Sequence, residues 1–124
     1  MAGHRILIVD DEAVGLEILK DLLESTGYDV ETAISGAEAL EKFSPDFDLV
    51  ILDVMLPVMD GYEVARRIRK HASHGSVPIL MLTALKTDED RQEAIEAGAN
   101  DFATKPVDME NLEKKIGQLL KIDV

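Results

Sequence analysis

The chain contains no cysteine. No disulfide can hold it together and no thiolate metal site is available, which fits a cytoplasmic location. No apolar run approaches the roughly 20 residues of a membrane-spanning helix. The first such run, Ile6-Leu7-Ile8-Val9, is also too short to be the core of a signal peptide. Basic charge is scarce: 13 Lys and Arg stand against 25 Asp and Glu, a net charge of −12. Such a surface repels a phosphate backbone, so direct nucleic-acid binding is not expected, and basic partner surfaces are favoured. Linkers, low-complexity tracts and solenoid-length repeats are absent too. A length of 124 residues then points to one domain over residues 1–124.

What is present is a repeating unit of a short apolar run, a turn and an amphipathic stretch. Arg5 to Val9 is continuous and rich in β-branched residues, as a strand buried on both faces should be. From Ala13 to Ser25 the apolar residues Val14, Ile18, Leu19, Leu22 and Leu23 fall at helical spacing and predict a core-facing stripe, with Gly27 just beyond the end. Val30 to Ala33 reads as a second strand, and Ser35 as the cap of a helix ending near Phe43. Leu49 to Leu52 is the most apolar strand, which places it centrally. Gly61 to Lys70 is a helix with Val64, Ala65 and Ile68 inward; its basic end (Arg66, Arg67, Arg69, Lys70) complements the helix dipole. Ile79 to Leu82, Asp88 to Ala97, Phe102 to Thr104 and Met109 to Leu120 complete five strand–helix units. Such a chain packs as a doubly wound α/β fold, a parallel sheet covered on both faces. His4, His71 and His74 form no convincing site and are expected in solvent.

The polar residues that end the apolar runs carry the chemistry. Asp10 and Asp11 end the first, Asp53 the third, Thr83 the fourth and Lys105 the fifth. The carboxyl ends of parallel strands share one edge of the sheet, where such folds bind ligands. Taken singly, each residue has an ordinary explanation: a helix-capping carboxylate, a loop aspartate, a strand threonine, a solvated lysine. Their common position at the ends of four strands argues for a single site. Carboxylates about 5 Å apart repel by roughly 3 kcal/mol per pair at an effective dielectric near 20. A divalent cation together with the Lys105 ammonium would balance three such charges. All-oxygen donors suit Mg²⁺, with Mn²⁺ as an alternative. A carboxylate so placed is a competent nucleophile toward phosphorus, and Asp53, ending the central strand, is the best candidate.

Asp10-Asp11, the segment Asp53-Val54-Met55-Leu56-Pro57 with Asp60-Gly61, then Thr83-Ala84 and Lys105-Pro106, resemble the receiver domain of bacterial two-component response regulators. The resemblance runs from Ile6 to about Leu120. It implies a flavodoxin-like sheet of order 2-1-3-4-5. It further implies that Asp53 accepts a phosphoryl group from a sensor histidine kinase or a histidine phosphotransfer protein. Asp11 and Asp53 would ligate the metal by side chain and Met55 by its backbone carbonyl, with Asp10 acting through a metal-bound water. Thr83 and Lys105 would bind phosphoryl oxygens, and Lys105-Pro106 would be a cis peptide. Phe102 matches the aromatic switch position, and the surface of the fourth helix, fifth strand and fifth helix would change on phosphorylation. That face is also where a phosphorylation-dependent homodimer would form. Met55 and Leu85 match positions flanking the phosphoryl group; both are apolar here and cannot orient a hydrolytic water. The output domain or target is not readable.

Other functions fit less well. A small phosphatase of the haloacid-dehalogenase type needs a second Asp two residues after its nucleophile, where this chain has Met55. A flavodoxin-like cofactor carrier needs a glycine- or hydroxyl-rich phosphate loop after its first strand, where this chain has Asp10-Asp11-Glu12. A degenerate receiver acting as a scaffold would lack some of the motif residues, all of which are present. The expectation is therefore a phosphoaccepting signalling module, not an enzyme acting on another substrate.

Overall fold

The computed structural model describes residues 3–71, 75–84 and 87–121. Five strands alternate with five helices among them: β1 (Arg5–Val9), α1 (Ala13–Ser25), β2 (Asp29–Ala33), α2 (Gly36–Lys42), β3 (Leu49–Asp53), α3 (Gly61–Arg69), β4 (Ile79–Thr83), α4 (Asp88–Ala97), β5 (Asp101–Thr104) and α5 (Met109–Leu120). All pairings are parallel, and the order is β2-β1-β3-β4-β5. The doubly wound sheet expected from the alternation is the one observed.

The continuous apolar runs are explained by burial on both faces. Every residue of β3 and β4 is buried. Alternate side chains feed two cores. Leu7, Val9, Val50, Leu52, Ile79 and Met81 pack with residues of α2, α3 and α4, among them Ala39, Val64, Ile68 and Ala94. Ile6, Ile8, Leu49, Ile51, Leu80 and Leu82 pack with Leu16 and Leu23 of α1 and Leu112 and Ile116 of α5. Burying a large aliphatic side chain contributes about 1.5–3 kcal/mol, so these two layers dominate stability.

The face of α1 differs from the sequence expectation. Leu16 and Leu23 are buried, with Leu19 packed beside them, whereas Val14, Ile18 and Leu22 are exposed. Those three are spaced four apart, a stripe of its own that runs along the outside of the helix. Apolar spacing alone does not say which of two overlapping stripes meets the sheet. His71 also departs from expectation: it is half-buried, edge-on to Phe43 at 5.1 Å between ring centroids. His4 is likewise half-buried, and His74 lies outside the described residues.

Arg69 lies in the basic last turn of α3, as expected, and its side chain also reaches the loops beyond. Its guanidinium donates to the carbonyls of Gly75, Val77 and Gly98 and to Asn100 Oδ1. Asn100 Oδ1 also accepts from the Ile79 N–H at 2.8 Å. This clamp joins the end of α3, the start of β4 and the end of α4. Gly98, at φ 111, closes α4 in the left-handed region that glycine adopts freely, and a side chain there would strike the Arg69 stem.

The β3–α3 loop packs tightly against the end of β3. The Gly61 N–H donates to the Val54 carbonyl at 2.9 Å. A methyl group on Gly61 would collide with the Asp53 carbonyl oxygen and the Val54 Cα, so the glycine of the Asp60-Gly61 pair lets α3 approach the functional strand. Asp60 caps α3 by accepting from the Glu63 N–H at 3.0 Å. Within the same loop Val58 holds φ 70 and is fully exposed. A β-branched residue in the left-handed region is strained and gains nothing there from packing. Val58→Gly is expected to raise stability by about 1 kcal/mol, read as a higher urea midpoint at unchanged m. A lower midpoint would show that Val58 is not under strain.

Candidate functional site

Strand register builds the site. Val9 pairs with Leu52, so Asp10, one residue on, lies level with Asp53. β3 and β4 each run one residue further than their apolar runs, so Asp53 and Thr83 are the last residues of their strands. Thr83 pairs with Thr104, which puts Lys105 just past the end of β5. The backbone ladder continues beyond each end: Asp10 N–H donates to the Ala33 carbonyl at 3.1 Å, Val54 N–H to that of Leu82 at 3.0 Å and Lys105 N–H to that of Thr83 at 2.9 Å. The functional side chains therefore project from pinned backbone. The point lies between β1 and β3, where the chain switches direction across the sheet.

Four charged groups meet there. Lys105 Nζ donates to Asp53 Oδ2 at 2.8 Å and to Asp10 Oδ2 at 3.1 Å. Asp53 Oδ1 accepts from the Met55 N–H at 3.1 Å, and Asp10 Oδ1 from the Glu12 N–H at 3.0 Å. Carboxylate oxygens of Asp10, Asp11 and Asp53 all lie within 4.8 Å of one another. Asp53 is only 2% exposed, Asp10 and Thr83 are nearly buried, and Asp11 opens to solvent. Asp11, Glu12, Asp53, Met55, Ala84 and Lys105 line an open cleft of about 340 Å³. Asp10 and Asp11 do not cap α1: its cap residue is Glu12, which makes no side-chain cap bond.

Burial raises the Asp53 pKa above the ordinary carboxylate range, and the Asp10 charge adds to the rise. The Lys105 hydrogen bond and charge and the Met55 N–H oppose it without cancelling it. Burial acts the other way on Lys105, drawing its pKa down, but its hydrogen bonds to Asp53 and Asp10 and their charges outweigh that and leave it raised. The ammonium thus stays charged while the aspartate is held under electrostatic tension. Three oxygen-donor carboxylates against one ammonium fit a hard divalent cation that keeps part of its water shell.

Comparison with known proteins agrees with this geometry. The profile of the response regulator receiver domain matches residues 6–117. The chain belongs to that family. It is a receiver domain of the two-component response regulators, as the motifs imply. This receiver is 43% identical to the transcriptional regulatory protein CpxR homolog of Haemophilus influenzae over 117 residues, 94% of the chain and 50% of that protein. The chemotaxis protein CheY4 of Vibrio cholerae superposes with a TM-score of 0.87 at 36% identity, covering 95% of the receiver and 99% of that chain. The receiver domain of a sensor histidine kinase from Pseudomonas aeruginosa, with a magnesium ion coordinated in its active-site cleft, gives 0.87 at 33% identity over 97% and 99% of the two chains. The receiver spans about half the length of the curated relatives it matches.

The structure brings Asp10, Asp11, Asp53 and Lys105 together and sets Thr83 on the neighbouring strand end. Met55 flanks the cleft and is 61% exposed. Leu85 lies outside the described residues. The Lys105–Pro106 peptide is cis. Phe102 stands apart from the acidic nest, at β5 opposite Met81, half-buried against the α2–α3–α4 core. Glu12 and Ala84, named in the sequence only as neighbours of Asp11 and Thr83, also line the cleft, and nothing in the sequence pointed to two cations, Arg91 and Lys115, over the Phe102 ring. No periodicity or motif marks these last two, because their partner sits on a third element.

Asp53→Asn is expected to stabilise the metal-free receiver at neutral pH. A carboxyl whose pKa is raised on folding favours the folded state below the ordinary carboxylate range, and that contribution is lost as pH rises through the elevated pKa. The neutral amide escapes this loss. The variant should therefore melt a few degrees higher in EDTA at neutral pH, with the gap closing on acidification. A gap that widened toward low pH would contradict the assignment.

Proposed function

We propose that residues 1–124 act as one phosphoaccepting switch, with Asp53 as the phosphoacceptor and a phosphohistidine of a sensor histidine kinase or phosphotransfer protein as the donor. The observation that carries this reading is the Lys105 ammonium shared by Asp10 and Asp53. A lysine anchored between an acceptor carboxylate and its neighbour also reaches a phosphoryl oxygen once that carboxylate is esterified. An Asp53 oxygen attacks phosphorus in line, the new O–P bond forms as the donor N–P bond breaks, and the imidazole leaves. Lys105 and the Met55 N–H favour the ionised form of Asp53 that this step uses. Asp11 and Asp53 by side chain, Met55 by its carbonyl and Asp10 through water would hold Mg²⁺ or Mn²⁺. That ion, when bound, neutralises the charge developing on the transferred group. The Thr83 hydroxyl and Lys105 then bind phosphoryl oxygens. The acid cluster, and the magnesium ion in the cleft of the Pseudomonas aeruginosa relative, support the metal assignment.

The new ester replaces one carboxylate charge with a dianionic group, drawing Thr83 toward it and letting Phe102 move inward. The changed surface is that of α4, β5 and α5, and it serves an output domain, a target protein or a second copy. A cytoplasmic site of action follows from the kinase partner, and no activity on a foreign substrate is assigned.

Incubation with acetyl phosphate and Mg²⁺ should add one phosphoryl group to the intact mass, lost in Asp53→Ala and without Mg²⁺. An undiminished gain in Asp53→Ala would refute the assignment; turnover of generic phosphate esters would point to a phosphatase. The exposed Met55 side chain offers no hydrogen bond to an attacking water, so the phosphoryl group should be long-lived. Met55→Asn is expected to speed phosphate release several-fold, followed by loss of the added mass over time. Equal rates would show that Met55 does not control the water.

A further inference from the structure

We infer that Arg91 and Lys115 form a two-cation cradle that holds Phe102 in its resting position and so sets how readily the receiver switches; this rests on the proposed role of Phe102. Arg91, on α4, places its Cζ 5.0 Å from the Phe102 ring centroid. Lys115, on α5, places its Nζ 6.0 Å from the same centroid. The two helices lie on opposite faces of the sheet, and β5 is its edge strand. The cations therefore converge on one ring from separate layers.

The cradle is itself braced. Lys115 Nζ donates to both carboxylate oxygens of Asp101, each at 3.3 Å. Asp101 Oδ1 also accepts the Phe102 N–H at 2.7 Å. One carboxylate thus fixes the backbone that carries the ring and the ammonium beside it. A phenyl ring has no hydroxyl with which to anchor itself at a half-exposed edge. Its negative π face attracts cations, and both distances fall within the range where that attraction operates. Travel of the ring toward the space beside Thr83 separates it from both charges. The cradle therefore weights the equilibrium toward the resting state; with the switched state as the one that accepts the phosphoryl group, the observed phosphorylation rate falls with the population of that state.

The test uses the whole chain labelled with 4-fluorophenylalanine, the Phe102 signal being assigned with Phe102→Leu. Arg91→Met removes the charge from an exposed position and keeps an apolar stem; Arg91→Lys keeps the charge. The unphosphorylated Arg91→Met protein should show its Phe102 signal moved toward the position it takes in wild type saturated with Mg²⁺ and beryllofluoride. It should also be phosphorylated by acetyl phosphate about two- to fivefold faster. Arg91→Lys should retain most of the wild-type signal position and rate. An unmoved signal in Arg91→Met, an equal displacement in Arg91→Lys, or a displacement without a rate change would overturn the cradle while leaving the receiver reading intact. A wild-type Phe102 signal indifferent to beryllofluoride would instead overturn the switch and the cradle with it.

Discussion

The ammonium of Lys105 between Asp10 and Asp53 is the interaction on which the site depends. A parallel sheet gathers the ends of its strands at one edge, and here three of the side chains so gathered are carboxylates. Without a cation the nest would repel itself by several kcal/mol. Lys105 lies 95 residues from Asp10 and 52 from Asp53, so only completion of the β5 edge brings it in. Folding and assembly of the site are thus one event. The same lysine leaves the nest short of neutrality, since a single positive charge faces three negative ones.

Rigidity makes that imbalance useful. Asp53 ends a strand whose every residue is buried, and Gly61 seats the following helix directly on its backbone. A charge placed on such a support cannot relax by moving the strand. It must be answered by groups that are free to rearrange, such as solvent, a metal ion, or side chains at the ends of β4 and β5. The clamp made by Arg69 works in the same direction. It ties the end of α4 to the start of β4 and the end of α3.

Much of this was legible in the sequence, and what was not had physical reasons. Strand and helix order followed from apolar runs and caps because Ser35 and Gly27 do locally what those residues do in any chain. Asp10, Asp53 and Thr83 could be placed because strand ends in a parallel sheet share an edge. The outward stripe of α1 could not, since Val14, Ile18 and Leu22 obey the same periodicity as a core face and only the sheet decides between stripes. Arg69 is basic at the helix end as its position suggests, but the sequence could not show that its half-buried guanidinium also meets carbonyls that the loops bring from elsewhere. Arg91 and Lys115 left no trace at all, because a cation over a ring depends on two helices flanking a third element.

Charge accounting links the nest to the switch. Three carboxylates and one ammonium leave a formal deficit of two positive charges, the charge of one divalent ion. With that deficit met, the nest is neutral and Asp53 is a monoanion facing balanced surroundings. The proposed esterification would turn it into a dianionic group, and the balance would fail by one unit. Lys105 is already engaged and the strands are fixed, so on the proposed reading the Thr83 hydroxyl, at the neighbouring strand end, answers the added charge. The movement proposed for Thr83 would open space in the layer where Phe102 packs, and it is there that the ring meets Arg91 and Lys115. The proposed switch would thereby convert a one-unit electrostatic imbalance at the rim of the sheet into a packing change at its edge.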